Sequence, residues 1–411
     1  MALADINLWD KDRFVEGVPH DWFTELRREA PVFWHDGDPA FDGPQGGAGP
    51  FWCVSGYDDV VTVNRDNATY SSAEKLVFMW DPSPEHLDMQ RMLMLNMDPP
   101  MHTRYRRLIN KGFTPRMVSE LESTMKKRTT EIIDRVADRG ECDFVVDVAS
   151  ELPLQVIADL MGVPQEDRHL LFDWSNKMIG SEDPEYAVAE EVTQQASMEL
   201  YAYASQLADK RRANAKDDLI SVLTHSAVDG EQLTGTEIDL FFLLLTVAGN
   251  ETTRNLISHG MVALLEHPDE LAKVRADRSL LPSAVEEMLR WASPVMHFRR
   301  TATKNVELGG QQIKAGDKVV VWYISANRDE QAFPDPFKFD VARTPNEHVA
   351  FGGGGPHFCL GANLARMEIN VMFDEILNRL DDIEMTAPPA RLRSNFINGL
   401  KHIPLKYSTI R

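Results

Sequence analysis

The chain has 411 residues, enough to bury a large core, and its 64 acidic residues outnumber 43 basic ones to give a formal charge of −21. This balance argues against nucleic acid as the main partner and is typical of a protein that stays in solution in the cytoplasm. The odd, sparse set of cysteines (Cys53, Cys142 and Cys359) does not suit a disulfide framework and favours a reducing compartment.

No stretch of the sequence predicts a secretion signal or a membrane anchor. The first residues carry acid early and lack a basic patch followed by an apolar run. The most apolar run, Leu240 to Gly249, is about half as long as a membrane span and is flanked by Asp239 and Glu251. Because no linker, like-charge block or internal repeat divides the chain, we expect a single domain over residues 1–411 that works as a monomer.

In chain order, a short helix at Trp22–Glu29 comes first, and helical periodicity then dominates from Pro115 to Leu264. Strand patterns are short and lie before and after that helical body. They are Val32–Trp34 and Phe51–Val54, separated by the glycine-rich loop Gly43–Pro50, and later Val306–Leu308, Gln311–Lys314 and Lys318–Tyr323, with turns at Gly309-Gly310 and Ala315-Gly316. This order predicts a mainly α fold with small β-sheets at its edges.

One predicted helix is unusually long. Thr234 and Glu237 have the spacing of a capping box, and the helical pattern continues to Glu266, where a His-Pro pair ends it. Its middle is apolar nearly all round, so we expect it to run through the core. Four consecutive polar residues interrupt that apolar stretch, and buried polar groups are costly unless they are satisfied or functional. They are Asn250, Glu251, Thr252 and Thr253.

The segment Phe351–Gly361 combines four consecutive glycines, a proline and Cys359. A strong helical pattern, Ala362–Leu380, follows at once, so Cys359 lies just before a helix N-terminus, where free N–H groups and the helix dipole favour a thiolate. A thiolate there can ligate iron, and N–H···S bonds would tune the metal. A lone cysteine beside a flexible loop is more often a buried structural residue, so this interpretation needs support from other segments.

Two further pieces precede that loop in the chain. Glu287 and Arg290 lie three residues apart on a predicted helix, Pro282–Trp291, a spacing that is common on solvated helices and weak by itself. An irregular segment that starts at Phe333 then supplies a second arginine, Arg343. The order of these pieces, ending in the cysteine loop, carries more information than any one of them.

Taken together, the pieces resemble the cytochrome P-450 family over nearly the whole chain. The stretch Ala248–Thr253 matches the distal-helix signature, and Cys359 matches the proximal iron ligand. Glu287 and Arg290 match the family's acid–arginine pair, with Arg343 as its third member. The resemblance implies a single-domain cytochrome P-450 fold, with haem b between the long distal helix and the helix that follows the cysteine loop.

The cysteine loop departs from the family's commonest pattern in one respect. The phenylalanine usually lies seven residues before the cysteine, whereas Phe351 lies eight before Cys359. Gly355, His357 and Gly361 keep their usual distances from the cysteine. We therefore interpret the extra glycine as a tolerated insertion, which leaves the role of Phe351 over the thiolate open.

The resemblance also assigns partners for the two haem propionates, which need cationic or donor groups. His102 and Arg106 are four apart on one predicted helix and match a pair that the family places on a propionate, and His357 joins them. Arg300 is the candidate for the other propionate, with Arg299 as its rival.

The family's proton relay falls on the polar residues of the long helix. Thr252 matches the hydroxyl that holds activated dioxygen and its water, and Glu251 matches the acid that exchanges protons with solvent. Ala248 and Gly249, with little or no side chain, would let the helix bend and admit dioxygen beside the iron. The alternative for Thr252 is that its hydroxyl bonds only to its own helix.

The activity implied is that of a monooxygenase that inserts one oxygen atom of O2 into a C–H bond, with electrons from NAD(P)H. No P-loop or dinucleotide fingerprint is found, so a ferredoxin and its reductase are the expected partners. An acidic ferredoxin would dock on a basic stripe, whose alternative interpretation is an ordinary solvated face. The stripe comprises Arg104, Arg107, Lys111 and Arg366.

The predicted substrate pocket is apolar, which implies an apolar substrate. By position it comprises Val77, Phe78, Met79, Leu244, Val247, Val295, Met296, Phe298, Phe396 and Ile397. Each of these residues is about equally compatible with core packing. Several stretches, such as Leu95–Asp98 and Arg391–Gly399, resemble the branch that hydroxylates steroid side chains and branched lipid or isoprenoid chain ends. Terpenoids and alkyl-aromatics remain as other substrates, and a non-catalytic haem sensor as another class.

Overall fold

A computed structural model describes residues 2–43, 46–81, 84–110, 115–179, 183–186, 189–228 and 230–410 of the chain. Its α-helices are α1 Lys11–Val15, α2 His20–Glu29, α3 Tyr57–Arg65, α4 Pro84–Arg91, α5 Met101–Asn110, α6 Pro115–Ala137, α7 Glu151–Met161, α8 Arg168–Ile179, α9 Glu190–Ala213, α10 Leu219–His225, α11 Gly235–Glu266, α12 Pro268–Ala276, α13 Leu281–Ala292, α14 Tyr323–Ala326 and α15 Ala362–Arg379. The prediction of a mainly helical fold is confirmed.

The strands are short and most of them lie outside the helical body. They are β1 Val32–His35, β2 Asp38–Gly43, β3 Gly46–Ala48, β4 Phe51–Val54, β5 Tyr70–Ser71, β6 Glu141–Asp143, β7 Ala227–Val228, β8 Glu231–Gln232, β9 His297–Ala302, β10 Val306–Leu308, β11 Gln311–Ile313, β12 Lys318–Trp322, β13 Leu380–Met385, β14 Ala390–Arg391, β15 Leu400–His402 and β16 Pro404–Thr409.

Sequence periodicity missed the shortest of these strands. The segment predicted as one glycine-rich loop contributes to a hairpin, because β2 pairs antiparallel with β3. Within the predicted helical stretch, β6 pairs with β16, and β7 pairs with β8. Strands as short as β6, β7 and β8 contain few positions in which an alternating pattern can be recognised. The six-residue strands β9, β13 and β16 were also missed.

The described residues fall into two compact units, each assembled from separate stretches of the chain. The first comprises Met1–Thr103, Glu286–Leu360 and Arg393–Asn398, and the second Arg104–Val285, Gly361–Leu392 and Gly399–Arg411. The assignment of one domain to residues 1–411 therefore stays a prediction.

The first unit is organised around a five-stranded sheet of order β1-β4-β12-β9-β5. Strands β4 and β12 run parallel, and the other neighbours are antiparallel. β12 is buried on both faces: Val320 and Trp322 pack into one hydrophobic cluster, and Val319 and Val321 into another. This alternation fixes which side chains of the neighbouring β9 point to each face.

The second unit is a helical assembly around α11. The predicted capping box is confirmed: Thr234 Oγ1 accepts a hydrogen bond from Glu237 N at 3.2 Å, and the Glu237 carboxylate accepts one from Thr234 N at 2.6 Å. From this start α11 continues without interruption for 32 residues. It packs against α7, α8, α9 and α15, so its middle lies inside the unit, as its apolar composition predicted.

Candidate active site

The cysteine loop in the first unit is closed by backbone hydrogen bonds and packs against α3. Cys359 N donates to Phe351 O at 3.0 Å, so the loop closes across the eight-residue spacing that includes the extra glycine. Gly355 has a φ of +78°, and a Cβ atom there would lie 2.3 Å from Asn64 O of α3. Only glycine permits that approach, so Gly355 lets the cysteine loop pack closely against α3. The Phe351 ring lies 6.4 Å from the Phe358 ring.

Cys359 differs from the other two cysteines in being accessible. None of the three cysteines of the described residues forms a disulfide, but Cys53 is buried and Cys142 is partly buried, whereas Cys359 is exposed. Burial raises the pKa of the Cys53 thiol well above its usual range and raises the pKa of Cys142 to about 11. Cys359 also lies three residues before α15, where a helix N-terminus stabilises negative charge. It is the cysteine best suited to ligate a metal.

Two of the predicted propionate partners meet in the first unit. The rings of His102 and His357 lie with their centroids 4.2 Å apart at an angle of 42°. His102 is buried at the start of α5, and His357 precedes Cys359 by two residues. Arg106 follows His102 on α5 by one helical turn and is half-buried in the second unit.

Arg300 and Arg299, the two candidates for the second propionate, differ in their partners within the structure. Arg299 donates to the Asp81 carboxylate at 2.8 Å, so its charge has a partner. Arg300 is buried, and burial lowers the pKa of its guanidinium. Its Nη1 donates to the Arg299 carbonyl at 2.7 Å, and no carboxylate of the described chain lies within ion-pair distance of it. A buried guanidinium of this kind suits a carboxylate of a bound cofactor.

Part of the middle of α11 in the second unit is accessible, although many residues of the helix are buried. Ala248 is exposed, and Leu244, Val247 and Thr252 are half-buried. The Thr252 hydroxyl donates to the Ala248 carbonyl at 2.8 Å, which is the back-bonded arrangement that was the alternative to a relay role. Because a hydroxyl has one proton to donate, its lone pairs remain as acceptors toward the accessible face.

Gly249 has a packing role that its sequence position did not reveal. A Cβ atom at this position would lie 2.3 Å from Ile157 Cδ1 of α7. Glycine therefore lets α7 and α11 approach closely. The predicted bend at this position stays a prediction, since α11 is assigned as one continuous helix here.

Glu251 lies on the buried side of α11 and is ion-paired within its own helix. Its carboxylate lies 2.6 Å from Arg254 Nη2, and both side chains are almost fully buried. Sequence analysis overlooked Arg254, although a cation three residues after an acid on one helix is a recognisable pattern. It also overlooked Glu368 of α15, a fully buried carboxyl whose pKa burial raises well above its usual range.

The acid–arginine pair is at the centre of a saturated network in the first unit. Arg290 donates to the two Glu287 oxygens at 2.8 and 2.7 Å, and both side chains are inaccessible to solvent. Arg343 Nε donates to the same carboxylate at 3.2 Å. Arg290 also donates to the carbonyls of Asn327 and Pro336. The network ties α13 to the irregular segment before the cysteine loop.

The predicted pocket residues of the first unit divide into two groups. Phe396 packs against Phe78 and Phe298, with ring centroids 5.7 and 5.6 Å apart, and these three rings are half-buried. Val295 pairs with Ile397 in a β-bridge beside them. Met79 and Met296, each 1% exposed, belong to the hydrophobic core instead, and Val77 is fully buried. The pocket assignment of Met79 and Met296 is therefore corrected to core packing.

The residues of the basic stripe predicted from the sequence differ in their exposure. Arg104 is ion-paired with Glu231 at 3.2 Å and has only 17% of its side chain exposed. Arg107 is exposed, Arg366 is half-buried beside a cavity of about 550 Å³, and Lys111 lies outside the described residues. Arg104 is thus engaged inside the second unit.

The donor set fits a haem group held by cysteine. Cys359 supplies an accessible thiol, and the rings of His102 and His357 contact each other. Arg300 supplies a buried guanidinium that has no carboxylate of the described residues within ion-pair distance. These features define the class: a haem-thiolate protein.

Comparison with known proteins agrees with that class. Residues 45–403 match the family model "Cytochrome P450". A steroid C26-monooxygenase of Rhodococcus jostii is 45% identical over 97% of this chain and 84% of its own length. A methyl-branched lipid omega-hydroxylase of Mycobacterium bovis is 44% identical over 99% of this chain and 96% of its own. A Mycobacterium marinum cytochrome P450 solved with pseudoionone has a TM-score of 0.89, with 39% identity over 96% of both chains.

The chain belongs to the cytochrome P450 family. It is a monooxygenase that uses haem b and O2, with electrons from NAD(P)H delivered by redox partners. None of the helices in the described part of the chain combines the length and the apolar character needed to cross a membrane.

Proposed function

We propose that this monooxygenase hydroxylates the end of an apolar, branched chain, either a steroid side chain or a methyl-branched lipid. The observation that carries the proposal is the likeness, at 43 to 45% identity, to both a steroid C26-monooxygenase and a methyl-branched lipid omega-hydroxylase. Both names describe oxidation at a chain terminus. The half-buried rings of Phe78, Phe298 and Phe396 supply an apolar surface of the kind such a chain requires.

The chain's own residues are proposed to hold the cofactor as follows. Cys359 ligates the iron as a thiolate at the N-terminal end of α15. Arg300 neutralises one propionate, while His102, Arg106 and His357 hold the other. Ala248 leaves room beside the iron, and Phe351 fixes the cysteine through its carbonyl. When bound, the haem supplies the oxidising chemistry, and the protein orients the substrate and excludes water.

Proton delivery is proposed to run through α11. Thr252 offers lone pairs toward its accessible side because its proton is donated to Ala248. Glu251, buried one residue earlier, accepts protons from water and passes them toward Thr252. Leu244 and Val247, on the same accessible side, contact the substrate.

A ferredoxin and its reductase are the proposed redox partners, and the protein is proposed to act as a cytoplasmic monomer. Exposed Arg107 supports docking of an acidic partner. The absence of a disulfide among the described cysteines supports a reducing compartment. Turnover with NAD(P)H, reductase and ferredoxin, without added peroxide, tests the partner assignment, and failure to turn over with any ferredoxin would contradict it.

The substrate proposal is tested by following the iron spin-state shift during titration of the purified haem protein. Cholest-4-en-3-one and its side-chain-lacking counterpart androst-4-ene-3,17-dione form a matched pair, with a methyl-branched fatty acid as a third ligand. We expect saturable shifts with the chain-bearing compounds alone and product hydroxylated at the chain end. An equal response to androst-4-ene-3,17-dione would contradict chain-end recognition.

A second candidate is hydroxylation of a terpenoid, favoured by the likeness to the structure solved with pseudoionone. The same titration includes pseudoionone. A shift with pseudoionone and none with the sterol or the branched acid would replace the first proposal with this one.

A further inference from the structure

The two carboxylate oxygens of Glu251 differ in their hydrogen bonding. Both lie 2.6 Å from Arg254 Nη2. Only Oε2 accepts a hydrogen bond with acceptable geometry, and Oε1 receives none from the described residues. Arg254 Nη2 therefore contacts both oxygens but hydrogen-bonds to Oε2 alone, so the acceptor capacity of Oε1 is not satisfied by the described residues.

The ion pair is anchored from outside α11. Arg254 Nη1 donates to Asn176 Oδ1 of α8 at 3.3 Å. Asn255 Nδ2 approaches Glu251 Oε2 at 3.5 Å, and Asn255 Oδ1 accepts from Leu400 N at 3.0 Å. Asn176 of α8 thus fixes Arg254, and Leu400 of β15 fixes Asn255. Because both fixed side chains contact Glu251, its carboxylate has little freedom to rotate.

Unsatisfied polar groups surround the pair. Asn250 is inaccessible to solvent, yet neither of its amide atoms has a hydrogen-bond partner in the described chain, and Arg254 Nε also lacks one. Asn250 and Arg254 are four apart and share one face of α11. Buried polar groups are nearly always satisfied by protein or by ordered water, so this cluster is suited to hold water.

Tyr186 lies within electrostatic reach of the same cluster. Burial raises the pKa of the Tyr186 hydroxyl, and the charges of Arg254 and Glu251 both act on it. Its ring lies 5.9 Å from Lys401 Nζ. The polar cluster thus continues from α11 toward residues 183–186 and β15, all within the second unit.

We propose that Arg254 is a positioning residue for proton delivery, holding Glu251 Oε2 so that Oε1 exchanges protons with water bound at Asn250. The inference rests on the role proposed above for Glu251. In each cycle Oε1 takes one proton from water on the solvent side and releases one toward Thr252, so the charge of the pair is restored. Arg254 acts through Glu251 and touches no reacting atom.

The test compares haem-loaded wild type with R254K, R254Q, E251Q and the double variant R254Q/E251Q. Arg211 provides the matched control, because it forms an ion pair with Asp218 at similar exposure, 8% and 4% against 7% and 3% for Arg254 and Glu251. R211Q removes an equally buried charge pair outside the site. For each variant, product formed per NAD(P)H, the kinetic solvent isotope effect and the spin-state titration with cholest-4-en-3-one are measured.

We expect R254Q to lower product formation by about tenfold to 100-fold, as misplacement of a catalytic group does, and to raise the solvent isotope effect. R254K should restore part of the loss, R211Q should leave both readouts unchanged, and substrate binding should stay unaltered. The double variant should be no worse than E251Q alone.

Two results would overturn the inference. If E251Q is defective but R254Q matches R211Q, or if the two losses multiply in the double variant, Arg254 does not act through Glu251, while the role of Glu251 stands. If E251Q itself turns over like wild type, the role proposed for Glu251 fails, and that of Arg254 fails with it.

Discussion

Two buried polar clusters of the molecule differ in how completely their atoms are paired. In the Glu287–Arg290–Arg343 network of the first unit, every carboxylate oxygen and guanidinium nitrogen has a hydrogen-bond partner. In the α11 cluster, Asn250, one oxygen of Glu251 and Arg254 Nε have no hydrogen-bond partner among the described residues.

The difference separates scaffold from function. A saturated buried network stabilises one arrangement, whereas unsatisfied groups beside an accessible face leave sites for water and protons. Substitutions in the first cluster should therefore change stability, and substitutions in the second should change turnover. The predictions below test that separation, starting with the largest effect.

Loss of the Glu287 charge should be the most damaging change. E287Q leaves the guanidinium of Arg290 buried without its anionic partner, which costs about 3–5 kcal/mol of unfolding free energy. D134N, which breaks an exposed pair with Arg379, should cost about 1 kcal/mol or less. Chemical denaturation measures both. Equal stability of the two variants would show that the saturated network is not the scaffold.

Removal of the Thr252 hydroxyl should leave the fold intact and uncouple the reaction. T252A loses the acceptor on the accessible side of α11, so product per NAD(P)H should fall by about 100-fold, with hydrogen peroxide formed instead. T252S should retain most of the product, since it keeps the hydroxyl. Undiminished coupling in T252A would mean that back-bonding to Ala248 is the residue's whole role.

Substitution of the two adjacent arginines of β9, Arg299 and Arg300, should affect the rate of haem loss differently. R300Q removes the guanidinium proposed to bind a propionate and should speed haem transfer to apomyoglobin about tenfold. R299Q breaks the pair with Asp81 and should destabilise the protein while haem transfer stays at the wild-type rate. Faster transfer from R299Q than from R300Q would reverse the assignment.

A small, pH-dependent contribution is expected from His402. Hydrogen bonds with Glu185 and then Asp143 raise the pKa of His402 above its ordinary value of 6.5. Its stabilisation is present below pH 6.5 and is lost as pH rises through the raised value. Because the group is well exposed, the effect is about 0.5 kcal/mol or less.

The difference in unfolding free energy between wild type and H402Q should therefore shrink between pH 6 and pH 8.5. H169Q, which removes an exposed histidine of α8, is the control. A difference that grows with pH would contradict the assigned direction of the shift.

Local patterns predicted those parts of the molecule whose structure depends on neighbouring residues in the chain. The capping box at Thr234, the helix α11 and the position of Cys359 before α15 follow from spacing within one segment. The family resemblance supplied the grouping of Glu287 with Arg343, which spacing alone left weak.

Tertiary contacts account for what the sequence missed. Gly249 is required by the approach of Ile157, a residue 92 positions away in the chain, and no pattern in α11 contains that information. Met79 and Met296 have the same apolar character as pocket residues, and only their complete burial places them in the core. Arg254 was overlooked because Glu251 was considered without its helical neighbours.

Coupled turnover of E251Q tests most directly whether the unsatisfied α11 cluster delivers protons. Product per NAD(P)H is measured with cholest-4-en-3-one in protein whose haem content and unfolding midpoint match wild type. We predict a fall of about 100-fold in product formation with an increased solvent isotope effect and unchanged substrate binding. Wild-type turnover in E251Q would contradict the claim.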